Sequence, residues 1–293
     1  STQNDNSNQQ TNINLKLSPG TPLIIKIFPR KSDYYLKYSQ EFGNIKSLYS
    51  DLKSTPNVLP ILEISDIQEA NIGVIIKQYI KYNLSEAFYY FRCVSEIEKK
   101  WICFQLLQCV SQIHSKGKCH GDIKPDNVLL TPKLSVFITD ISVYKPVYIF
   151  IDHIQEYNYF FYSNPNDINQ SQSCYIAPER FIKNMNEIPK KIKLTPEMDV
   201  FSLGVLMAEI FLEHEIFNQL TIIDYKNNKF NISDELKVIK DEFLKVTLYK
   251  MIYREPAKRK TLNEVMNDFG NHLCSPPSSR FIAHINKIII SYN

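Results

Sequence analysis

Asp122 and Asn127 stand five residues apart in His120-Gly121-Asp122-Ile123-Lys124-Pro125-Asp126-Asn127, with Lys124 between them. An aspartate can take a proton, an amide oxygen can hold a hard cation, and a lysine can offset negative charge. Alone, the run also fits a solvated turn, because Gly, Pro, Asp and Asn all favour turns. Its surroundings argue otherwise. Thirteen residues past Asn127, the apolar strand Val136-Phe137-Ile138-Thr139 ends in Asp140, a second carboxylate suited to a metal. Upstream, Lys26 interrupts the apolar run Leu23 to Phe28, and Glu41 follows on the next helical stretch. A lone strand lysine is ordinarily an edge-strand gatekeeper. Phosphoryl transfer asks for such equipment, since the protein's task there is positional and electrostatic rather than covalent.

The elements that must hold these groups follow from periodicity. Asn14 to Leu17, the turn Ser18-Pro19-Gly20-Thr21 and Leu23 to Phe28 read as a hairpin. Tyr35 to Leu52 has helical spacing, and Val58 to Ile64 and Ile72 to Ile80 read as strands. From Ser95 onward Trp101, Phe104, Leu107, Val110 and Ile113 recur every three or four residues up to the acidic loop. Thr195, Pro196 and Glu197 supply a helix start before a stretch apolar on nearly every face, which belongs in a core.

The acidic loop resembles the H-R-D-x-x-x-x-N loop of protein kinases in all but the Arg, which implies a bilobal α+β fold, a small mostly β N-lobe and a larger mostly α C-lobe. On that resemblance Asp122 orients the acceptor hydroxyl and takes its proton, Lys124 offsets charge on the moving phosphoryl group, and Asn127 and Asp140 hold Mg2+. Lys26 contacts the phosphates of ATP and pairs with Glu41. Lys124 with Pro125 favours a serine/threonine enzyme over a tyrosine one. His120, Glu179 in Ala177-Pro178-Glu179, Asp199 and Arg259 are structural, with Arg259 expected to salt-bridge Glu179.

A narrower resemblance rests on Cys119 to Lys124, Thr139-Asp140, Lys145-Pro146, Tyr157-Asn158-Tyr159-Phe160-Phe161, Cys174 to Phe181 and Arg254-Glu255-Pro256. These segments look like the protein-kinase-like regulatory subunit of the class III phosphatidylinositol 3-kinase complex, over about Leu23 to Asp268. In that family the kinase domain precedes helical repeats and a WD-repeat propeller, and the N-terminus is myristoylated. Membership implies the lipid kinase catalytic subunit and its associated subunits as partners, a role in autophagy and endosomal or vacuolar sorting, and a cytoplasmic location peripheral on those membranes. The expected organisation is a disordered polar leader at 1–13, the N-lobe at 14–82, the C-lobe at 83–272, and an extension at 273–293 leading to regions this chain does not include.

Several positions depart from the kinase pattern. Only Gly20 of the seven glycines precedes Lys26, so no G-x-G-x-x-G loop covers the phosphates within this chain, and weak nucleotide retention or slow turnover is expected unless residues upstream of it supply the loop. Gly121 replaces the Arg that grips a phosphorylated activation segment in many kinases, so Ser163, Ser171 and Ser173 should be replaceable by Ala without loss. Ile141 can fill the apolar place after Asp140, stacking with His120 and Ile45; Ser142 there lacks glycine's freedom. The aromatics Tyr157 to Tyr162 read mainly as packing onto the C-lobe, with partner docking as the alternative. Lys77 reads as a solvated surface lysine, or as a donor to a guanine carbonyl, which leaves GTP open beside ATP.

Composition bounds the rest. At 293 residues, 44% hydrophobic and 22% charged, the chain can bury one two-lobed core, and a net charge of +3 without clustering argues against nucleic acid. Six cysteines form no C-x-x-C pair, which suits a reducing compartment, and His114, His153, His214, His272 and His284 show no metal spacing. Two functions fit: a serine/threonine kinase, or a weakly catalytic, nucleotide-binding regulatory scaffold.

Overall fold

The computed structural model describes residues 20–29, 35–52, 55–90, 94–141, 145–161 and 173–274. The leader, the strand at 14–17, Ser142, Tyr162, Ser163, Ser171 and the extension past 274 lie outside the described residues. In chain order the elements are β1 (Leu23–Pro29), α1 (Tyr35–Leu52), β2 (Ile61–Ile67), β3 (Ile72–Gln78), β4 (Tyr82–Asn83), α2 (Leu84–Tyr90), α3 (Glu96–Ser115), β5 (Val128–Leu130) and β6 (Val136–Ile138). Then follow β7 (Ile149–Phe150), α4 (Ile154–Phe161), β8 (Phe181–Ile182), α5 (Pro196–Leu212), α6 (Gln219–Lys226), α7 (Ile232–Leu236), α8 (Glu242–Met251) and α9 (Leu262–Cys274).

A small lobe stacks α1 on a three-stranded antiparallel sheet ordered β1-β3-β2. Alternation along β1 turns Leu23, Ile25 and Ile27 outward and Ile24, Lys26 and Phe28 to the half-buried side. On that side Phe28 and Ile61 pack against a buried cluster of Phe42, Ile45 and Ile75. The second strand runs from Ile61 rather than Val58; Val58 instead bridges Ile138 of β6, tying the strand's approach to the larger lobe.

That larger lobe is helical and holds the main core. α3 starts at a capping box in which the Ser95 hydroxyl accepts from the Glu98 N–H and the Glu98 carboxylate accepts from the Ser95 N–H. α5 is buried on nearly every face, as its composition predicts. Thr195 occupies the N-cap position of α5, but its side chain caps nothing; the start rests on Pro196, whose fixed φ suits the first turn. The three strands β4-β5-β6 form the floor between the lobes, and the acidic loop precedes β5.

Candidate active site

Asp199 fixes the loop from below. Its buried carboxylate accepts from the backbone N–H groups of His120 at 2.7 Å and Gly121 at 2.8 Å, and from His114 Nε2 at 2.9 Å. His120 is fully buried: its Nε2–H donates to the Thr139 carbonyl at 3.0 Å, while Nδ1 accepts from the Asp122 N–H at 3.2 Å. One ring thereby joins the loop to the end of β6, and burial pushes its pKa down, in keeping with a neutral imidazole.

Asp122 and Asn127 meet as their spacing predicts. The Asn127 Nδ2 group donates to the Asp122 carbonyl at 2.7 Å and to Asp122 Oδ2 at 2.8 Å, which leaves the amide oxygen for a cation. Asp140 follows β6 with φ at +60°, a left-handed conformation that aims its carboxylate into the cleft between the lobes. There Lys26 Nζ reaches Asp140 Oδ1 at 2.6 Å. Glu41 stands in α1, but its side chain lies outside the described residues, so the expected pair with Lys26 is not described.

Residues 20–269 match the family description "Protein kinase domain". The chain belongs to the protein kinase family. It is 31% identical over 84% of its length to "Serine/threonine-protein kinase VPS15" of Arabidopsis thaliana, and 32% over 86% to the protein of that name in Saccharomyces cerevisiae. "Probable serine/threonine-protein kinase vps15" of Dictyostelium discoideum is 31% identical over 82%. The chain covers 16%, 17% and 12% of these three relatives. It is thus a VPS15-like kinase domain spanning about a sixth of such proteins or less.

The kinase domain holds its catalytic loop in a manner that the loop's own sequence does not disclose. Lys145 Nζ sits 2.5 Å from Asp122 Oδ2, and burial lowers its pKa against the pull of that carboxylate. Lys124, expected to face the moving phosphoryl group, is turned elsewhere: its ammonium donates to the Phe161 carbonyl at 2.5 Å, at the end of α4. Phe161 and Tyr157 are buried and stacked, with centroids 5.4 Å apart, and Phe160 packs against the core. The described part of the aromatic run, Tyr157 to Phe161, therefore packs onto the C-lobe, except Tyr159, which is 74% exposed.

Gly121 also has a partner that its motif does not announce. Arg180, directly after Glu179, is buried and donates to the carbonyls of Gly121 at 2.7 Å, Val147 at 2.8 Å and Pro146 at 2.9 Å. This guanidinium joins the loop to Pro146 and Val147 of the activation segment, which runs from Asp140 to Glu179, without a phosphate. Glu179 and Arg259 form the expected bidentate pair, both contacts at 2.7 Å.

Lys77 requires correction. It is 4% exposed rather than solvated, and its ammonium donates to Thr139 Oγ1 at 2.8 Å and Asp140 Oδ1 at 2.9 Å. These contacts engage two of its three N–H donors. Burial lowers the Lys77 pKa and Asp140 opposes the shift. For Asp140, burial alone would raise the carboxyl, but Lys77 and Lys26 outweigh it and hold it down at about 2. Ile141 is buried and lines the same small cavity as Ile45, Ile75, Lys26 and Lys77.

Asn127 and Asp140 offer amide and carboxylate oxygens, the hard donors that Mg2+ takes, so the residues present fit that ion. A second cavity of about 500 Å3 lies among α2, α3 and α5, lined by Tyr175, Glu209, Glu213 and Lys99. In its wall, burial pushes Glu209 from 4.5 up to about 7, although the Tyr175 hydroxyl and the Ile216 N–H donate to it. Between those values the unfolded chain has lost a proton that the folded chain keeps, so stability falls as pH rises from about 4.5 to 7 and is level above. Because Glu209 is only half-buried, solvent screening trims the effect to about 1–2 kcal/mol. Urea titrations at pH 5 and 8 should show that loss in the wild type and a flatter profile in Glu209→Gln; equal slopes would refute the assignment.

Proposed function

We propose that this chain is the serine/threonine protein kinase domain of a regulatory subunit of a class III phosphatidylinositol 3-kinase complex, acting in autophagy and in endosomal or vacuolar sorting. On this reading it binds the lipid kinase catalytic subunit and its associated subunits, and works in the cytoplasm, peripheral on endosomal or autophagic membranes. The reading is supported by two pairs, Asp122 with Asn127 and Lys26 with Asp140, whose segments are joined by the Thr139 N–H donating to the Asn127 carbonyl at 2.9 Å, in a chain similar to VPS15 kinases.

The nucleotide would be ATP, with GTP open beside it, and Asn127 and Asp140 would hold Mg2+, which would supply positive charge against the phosphates. Asp122 orients the acceptor hydroxyl and takes its proton, and Lys26 steadies the phosphates. Lys145 and the Phe161 carbonyl hold Asp122 and Lys124 until the activation segment shifts, which makes turnover slow.

Those same two contacts favour a second reading, a nucleotide-binding scaffold that regulates without transferring phosphate. The reconstituted full-length complex separates the two through its lipid kinase output. Loss of output in both Asp122→Ala and Lys26→Ala supports the enzyme, loss in Lys26→Ala alone supports the scaffold, and no change in either overturns both.

A further inference from the structure

Antiparallel pairing of β1 with β3 sets Lys26 opposite Ile75 and Ile24 opposite Lys77. Directly paired residues share a face of the sheet, and so do residues two apart on one strand, so Lys26 and Lys77 are diagonal neighbours on the side facing the cleft. Their ammoniums converge on one atom, Asp140 Oδ1, at 2.6 and 2.9 Å. Thr139 Oγ1 anchors Lys77 further at 2.8 Å. Phe28, Ile45, Ile61, Ile75 and Ile141 line the cavity beside the three charged groups; the Lys77 side chain is buried there, while those of Lys26 and Asp140 keep 38% and 29% exposure.

A carboxylate and a polyphosphate repel each other, and a site with one lysine beside its metal-binding aspartate needs a divalent cation to bridge them. Here two lysines face one aspartate, so these three side chains together carry one positive charge before any metal arrives. We propose that Lys77 is a resident cation of the nucleotide site, and that it lets this domain retain a nucleoside triphosphate without a divalent ion. The inference rests on the nucleotide-binding reading above and concerns what holds the ligand there. A fixed ammonium at the back of the cleft also supplies positive potential of the kind that backbone N–H groups supply in a Gly-rich loop.

The test is equilibrium binding of ATP, and separately of GTP, to the full-length protein in Mg2+ and in EDTA, for wild type, Lys77→Met and Lys77→Arg. Wild-type affinity should differ between the two buffers by no more than about threefold, whereas Lys77→Met should weaken on the order of tenfold or more in EDTA relative to Mg2+. Lys77→Arg, which keeps the charge, should recover most of the EDTA binding. A wild type that loses its nucleotide in EDTA as completely as Lys77→Met overturns the inference and leaves the nucleotide site standing. Absence of binding in both buffers overturns the nucleotide reading, and the inference with it. If Lys77→Met does not fold, the wild-type ratio still decides: a fall on the order of a hundredfold in EDTA refutes the role.

Discussion

Replacing Arg259 with alanine should lower the stability of the kinase domain by about 3–5 kcal/mol, the usual cost of stranding one half of a buried ion pair. The side chain of Arg259 has no solvent exposure and that of Glu179 has 21%. All the guanidinium nitrogens are engaged: beyond the bidentate pair, Nε donates to the Tyr253 carbonyl at 2.6 Å, and the two terminal groups reach the carbonyls of Glu197 at 2.9 Å and Arg254 at 3.1 Å. The plane also stacks over Phe201, 4.9 Å from its centroid. Arg259→Lys should recover only part of the loss, since an ammonium cannot reproduce the fork. Urea unfolding of the two single variants and of Arg259→Ala/Glu179→Ala checks the assignment. Once Arg259 is gone, removing Glu179 should cost little more, and full additivity would show that the two are not coupled.

Arg180→Met should be the next most damaging change, at about 3 kcal/mol, because three hydrogen bonds from a buried charged group are lost together. Its effect should also be local. The guanidinium ties Gly121 of the catalytic loop to Pro146 and Val147, and lies 5.3 Å from the Phe161 ring, so its removal loosens the segment from Lys145 to Phe161. Limited proteolysis should cut within 145–161 several times faster in the variant. Restoring an arginine in the loop would strain the backbone, because Gly121 has φ at +77°, a conformation L side chains rarely adopt, and Leu194 Cδ1 would have to move aside for its Cβ. Unchanged cleavage of 145–161 would mean that Arg180 stabilises the core without holding the segment.

Arg180 also shows where sequence reasoning stops. Asp122, Asn127, Asp140 and Lys26 were legible because their chemistry depends on residue type and short spacing, and the Glu179–Arg259 pair because both stand in recognisable runs. Tyr35 to Leu52 was legible as a helix because one apolar face suffices to declare it. Lys145 stood in the quoted Lys145-Pro146 step, yet its grip on Asp122 depends on how the chain returns across 23 residues. Arg180 follows Glu179 in plain view, but its carbonyl partners sit 33 to 59 residues away and carry no sequence signal. Lys124 illustrates the reverse. Its type and place fit the reaction, and the activation segment's packing decides where its ammonium points. Lys77 was misread because burial of a lysine depends on the carboxylate that meets it.

The central claim is that the loop around Asp122 is a working phosphoryl-transfer site, held in check by its own activation segment. Transfer of labelled terminal phosphate by the full-length protein, compared with Asp122→Ala at equal nucleotide occupancy, tests it most directly. Slow transfer by the wild type that drops on the order of a hundredfold or more in the variant is the predicted result. Equal transfer by both proteins with nucleotide bound, or none by either, would contradict it.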